Sequence, residues 1–136
     1  MAMKLKESIR TARAGLIEST INTEEGAAPY LCFYTGAPPA AITDANSGTL
    51  VGSYQLPTDW LTAASAGAVT KNGTWSGALA TGGDIGHFRI QKADRTVTYM
   101  QGTAGTSGTD MIIDNDVVTA GQSVTVTACS FTDGNA

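Results

Sequence analysis

The chain has 136 residues, of which 42% are apolar and only 15% charged, with a net charge of −4. That length suits one domain with a sizeable core. The acidic balance offers no basic stripe for phosphates, which argues against direct nucleic-acid binding.

The charged share is well below the roughly 25% of an ordinary globular domain, and small and hydroxylated residues fill the gap. Such a surface is cheap to desolvate and loses little side-chain entropy when a neighbour covers it. No stretch approaches the roughly 20 apolar residues of a membrane span. MAMKLKESIR has a basic start but no apolar run behind it, so no secretory leader is expected and the site of synthesis is the cytoplasm.

The first element is a helix, expected over residues 4–18. Leu5, Ile9, Ala12 and Leu16 recur at helical spacing with Ile17 beside them, and the bases Lys4, Lys6, Arg10 and Arg13 lie mostly off that stripe. Gly15 weakens the last turn by about 1 kcal/mol relative to alanine. The stripe suits either a lid on the chain's own core or an arm on a partner subunit. Residues 1–26 are therefore set apart as a helical arm, and 27–136 as a β domain.

From Pro29 onward, short strands alternate with turn signals. Tyr30–Thr35 is a strand stopped by GAPP, since proline cannot donate to a sheet ladder. DANSG at 44–48 marks a turn, and Thr49–Leu56 restarts the sheet. Asn72-Gly73 is a strong hairpin signal, placing strands near 66–70 and 74–80. HFRIQKADRTVTYM reads as a second hairpin with Ala93-Asp94 at its tip. GTAGTSGTD at 102–110 reads as a loop, and strands follow at Met111–Asp114 and Ser123–Phe131. About eight strands with no interior helix predict an all-β fold. The expected form is an antiparallel two-sheet sandwich, jelly-roll-like, with a short N-terminal helix.

Catalytic chemistry is poorly supplied. His87 is the only histidine, with Asp84 three residues before it. Ser53, Ser76 and Ser107 do not sit in a nucleophile elbow. Asp110, Asp114 and Asp116 lack the spacing of a calcium loop and read as turn residues. Cys32 and Cys129 fit two buried thiols better than a disulfide framework. No enzymatic activity, cofactor or metal is expected. Among the aromatics, Trp60 follows Pro57-Thr58-Asp59 outside a clear strand and is the one expected at the surface.

Several stretches carry a resemblance that no single motif does. They are the N-terminal helix, LCFYTGAPPA, TLVGSYQLP, TWSGALATGGDIGHFRIQKAD and IDNDVVTAGQSVTVTACSFT. Their order over nearly the whole chain resembles small virion proteins of tailed bacteriophages. The resemblance implies a capsid decoration, or cement, protein with a jelly-roll fold. Such a protein would sit on the outer capsid surface as a dimer or trimer and clamp neighbouring major capsid protein subunits. Its contact elements would be the helix and the loops 36–48 and 102–110. The expected interface residues are Leu5, Ile9, Ala12, Leu16, Ile17, Pro38, Pro39 and Trp60. The alternative is a tail-associated β domain that stacks a host surface glycan on Trp60.

Overall fold

In the computed structural model, residues 3–133 are described; 1–2 of the expected arm and 134–136 of the expected β domain lie outside them. The helix is longer than its periodicity suggests. It consists of α1 (Glu7–Ala14) and α2 (Leu16–Glu25), joined through Gly15. Gly15 keeps right-handed dihedrals, φ −66° and ψ −14°, so the stripe continues through it. Gly26 in the left-handed region ends α2, its N–H returning to Asn22 O. Leu5 precedes the helix rather than belonging to it.

Ten strands follow among the described residues. They are β1 (Tyr30–Tyr34), β2 (Leu50–Gln55), β3 (Ala68–Thr70), β4 (Ser76–Ala78), β5 (Gly83–Asp84), β6 (His87–Gln91), β7 (Thr98–Gly105), β8 (Met111–Ile113), β9 (Val117–Val118) and β10 (Ser123–Thr132). Eight form one sheet in the order β2-β1-β6-β7-β8-β10-β3, with β4 also on β10; β5 and β9 make a small second sheet. The chain is thus mostly β, as expected. The large sheet is mixed rather than wholly antiparallel, because β7 and β8 run parallel.

Two local expectations change. Asn72-Gly73 does not close a hairpin: β3 and β4 pair with different parts of β10 instead of each other. The long final strand offers both of them a partner, and that tertiary pairing overrides the local turn signal. The stretch 102–110 is only partly a loop, since residues 102–105 complete β7. The second predicted hairpin is present as β6–β7, its turn closed by Lys92 N–H to Val97 O.

The sheet curls so that β2 comes against β4. Tyr54 on β2 places its hydroxyl 3.2 Å from both Trp75 O and Val124 O, and Val51 O accepts the Thr81 and Gly82 amides. Glycine makes this closure possible. A Cβ on Gly52 would lie 2.6 Å from Leu79 Cα, and one on Gly77 would lie 2.6 Å from the Tyr54 ring. Leu31, Phe33, Val51, Phe88, Ile90, Val124 and Val126 fill the interior, with Trp60 and Trp75 tilted against each other at 5.9 Å. Cys32 and Cys129 are free and buried, and burial pushes both thiols up to about 12.

Ala14 and Ile21 bring one face of the helix into this core. Most of that face docks through polar atoms. Thr11 Oγ1 accepts the Gly67 amide, the Glu18 carboxylate accepts the Leu61 amide, and Asn22 Nδ2 donates to Thr58 O. Burial raises the Glu18 pKa. The close approach of β2 predicts that Gly52→Val lowers stability by about 2–3 kcal/mol, because the Leu79 backbone must move. Urea denaturation measures this; a change within about 0.5 kcal/mol would mean the closure is soft.

Candidate functional site

The sequence HFRIQ alternates polar and apolar residues, so β6 presents His87, Arg89 and Gln91 on one face and Phe88 and Ile90 on the other. The apolar face enters the core. The polar face is buried as well, with Arg89 only 1% exposed. What covers it is the loop of residues 36–48.

Arg89 binds that loop with both terminal nitrogens of its guanidinium and β7 with the third. Nη1 donates to Asp44 O at 3.1 Å and to Asn46 Oδ1 at 2.8 Å. Nη2 reaches Ala41 O and Ile42 O at 3.4 and 3.3 Å, and Nε donates to Gln101 Oε1 at 2.9 Å. Among the described residues it has no carboxylate partner. Its charge is met by carbonyl and amide oxygens, which suits the planar fork of donors better than the point charge of a lysine.

The flanking residues extend the clamp. Gln91 Nε2 donates to Asn46 Oδ1 at 2.7 Å and Thr98 Oγ1 at 2.8 Å, while its Oε1 accepts the Tyr34 hydroxyl at 2.7 Å. Burial pushes that hydroxyl up to about 12, which keeps it a donor. Gln101 Nε2 ties down Pro39 O at 2.9 Å. His87 Nδ1 lies 2.9 Å from Gly36 O. A carbonyl only accepts, so Nδ1 carries the hydrogen. Nε2 is buried without a partner, and the ring stacks on Tyr34 at 5.3 Å.

The loop also ties to itself. Asp44 caps the Ala41 amide and returns its own N–H to Ala41 O, and Ser47 Oγ donates to Ala37 O. Its outer side carries Ile42, exposed beside Val97 across a shallow groove. Between Gly36 and Gly48 the only charged residue is Asp44. The product is a long, nearly uncharged surface loop hydrogen-bonded from beneath.

The expected interface residues divide into three groups. Pro38 and Pro39 lie half-buried in the clamped loop. Ile9, Ala12 and Leu16 face outward from the helix, Leu16 at 60% and Ile9 at 48% exposed; Leu5 is half-buried before α1. Ile17 is also half-buried, in a groove with Leu16, Ile21, Tyr99 and Met100. Trp60 is not at the surface but fully buried. The helix covers it, and Asn22 Oδ1 accepts its indole N–H at 3.0 Å. A glycan platform on Trp60 is thereby ruled out. Asp110 serves a turn, accepting both the amide and the hydroxyl of Thr103. Arg89, Gln91 and Gln101 were not expected at a site. In the sequence they read only as parts of the predicted hairpin HFRIQKADRTVTYM and the stretch after it.

Comparison with protein-family profiles, curated proteins and solved structures finds no match for this chain. No helix of the described residues is long and apolar enough to cross a membrane.

Two outcomes follow from the clamp. Arg89→Met should lower stability by about 2–4 kcal/mol, since it strands several buried oxygens. It should also speed amide hydrogen exchange across residues 37–48. Unchanged exchange there would show that the loop holds itself. For His87, burial first and then the Arg89 charge lower the pKa, with the Gly36 bond opposing them. An unfolded histidine takes up its proton near pH 6.5 while the folded one resists. Stability should therefore fall as pH drops below about 6.5, with a shallower slope in His87→Gln. Equal slopes in urea titrations at several pH values would assign the loss to other groups.

Proposed function

We propose that this chain is a structural virion protein that decorates the outer face of a tailed-phage capsid and cements neighbouring major capsid protein subunits. One observation carries the reading: the exposed, nearly charge-free loop 36–48 is pinned by hydrogen bonds from the buried polar face of β6 and from Gln101 on β7. A preorganised loop loses little entropy when a partner covers it. With one charge in thirteen residues, it loses little solvation either. Ile42 and Val97 supply the apolar contact at its tip.

The role is structural rather than catalytic, and its location is the virion surface. The lone histidine is committed to Gly36 O, which supports that reading. The curled sheet, with β2 brought onto β4 by Tyr54, supports the finer jelly-roll reading of the fold. Around an icosahedral shell, modest contacts repeated at every seam add up through avidity, and binding to the assembled form stabilises it by mass action.

The test uses empty shells of the major capsid protein encoded alongside this chain. The protein should co-sediment at a fixed stoichiometry and raise the shell melting temperature. Ile42→Asp should lose the pellet while its own melting curve is unchanged. Folded protein that stays in the supernatant would overturn the proposal.

A further inference from the structure

The helix has two faces, and among the described residues one of them meets the body of the domain. At 100° per residue, Ala14, Glu18, Ile21 and Glu25 point inward, where each finds a place in the core or a hydrogen bond to the body. Ile9, Ala12, Leu16, Thr20 and Thr23 fall on the opposite side, and all are exposed. The two large apolar residues of the outward stripe, Ile9 and Leu16, are both exposed.

We infer that this outward stripe pairs with the same stripe of a second copy, as an antiparallel helix pair about a two-fold axis. Three observations favour that occupant. The first is shape. Leu16 projects from the stripe, and helical spacing sets Ile9, Arg13 and Leu16 around the small Ala12, which leaves a hole between them. A knob from one copy seats in the hole of the other, and the symmetry makes the exchange mutual.

The second is charge. Arg10 and Arg13 are engaged by Asp133, and Glu18 and Glu25 bind the body, so the exposed opposite charges beside the stripe are Lys6 before α1 and Glu24 near the end of α2. Antiparallel pairing in this register brings those two groups together. Lys6 then lies beside the partner's Glu24; both are exposed on the same flank of the stripe. Parallel pairing would set like charges together. The third is continuity. The groove of Leu16, Ile17, Tyr99 and Met100 adjoins the stripe on the Arg13 side, extending the apolar surface beyond the helix.

This assignment deepens the oligomer implied by the cement reading but stands without any shell, and its test contains none. The loop 36–48 remains the surface left for the capsid.

Sedimentation equilibrium on the full chain, over a range of concentrations, should fit a monomer–dimer model. Leu16→Asp should weaken the dimer by about tenfold or more, as loss of a central anchor does. Ala12→Phe, which fills the hole at an exposed position, should do the same with an unchanged melting curve. Lys6→Glu and Glu24→Lys should each weaken the dimer, and the double variant should recover it. A chain that stays monomeric, a trimer, or a dimer indifferent to Leu16→Asp and Ala12→Phe would overturn the inference. So would failure of the double charge exchange to rescue.

Discussion

A guanidinium buried without a carboxylate is an expensive thing to place beneath a loop, and the arrangement around Arg89 depends on having enough oxygens to meet it. Desolvating a charge costs several kcal/mol unless its hydrogen bonds are replaced. Arg89 replaces them with carbonyls of residues 41, 42 and 44 and with Asn46 and Gln101. Those carbonyls can converge only if the loop turns back over β6. Arg89 and the loop therefore impose each other's conformation. Gln91 and Tyr34 extend the network at one end of the strand, His87 and Gly36 at the other.

This constraint links the core to the surface. Phe88 and Ile90 fix β6 in the hydrophobic interior, so the polar residues between them are held at set positions one layer further out. The loop above inherits that rigidity without a core of its own. The helix behaves similarly. Its inner face is locked by hydrogen bonds to the segment 58–67, and its outer apolar residues are presented as a fixed stripe. Both surfaces are preordered, and the loop is also poor in charge, which suits a surface that binds by being covered.

The strand signals, the β6–β7 hairpin and the existence of the helix were legible in the sequence because they rest on local periodicity and turn residues. The site was less so. Alternation in HFRIQ identifies a strand, but a polar face reads as a wet face, and nothing local says that a loop forty residues earlier will cover it. The helix was ambiguous in a related way. Its stripe of Leu5, Ile9, Ala12 and Leu16 suits either a lid on the core or an arm on a partner, and the side that meets the body uses Thr11, Glu18 and Asn22, whose partners lie far along the chain. Trp60 looked exposed for the same reason, since its cover comes from Asn22 on that inner face. Hydrophobic pattern finds apolar burial and is blind to polar burial that long-range hydrogen bonds satisfy.

The central claim is that loop 36–48 has one conformation in the free protein. Backbone ¹⁵N relaxation tests it without any partner or mutation. Order parameters near about 0.85 across residues 40–47, equal to those of the strands, are the predicted result. Values below about 0.6 there, with the strands still rigid, would contradict it. The clamp would then be too weak to preorganise a docking surface.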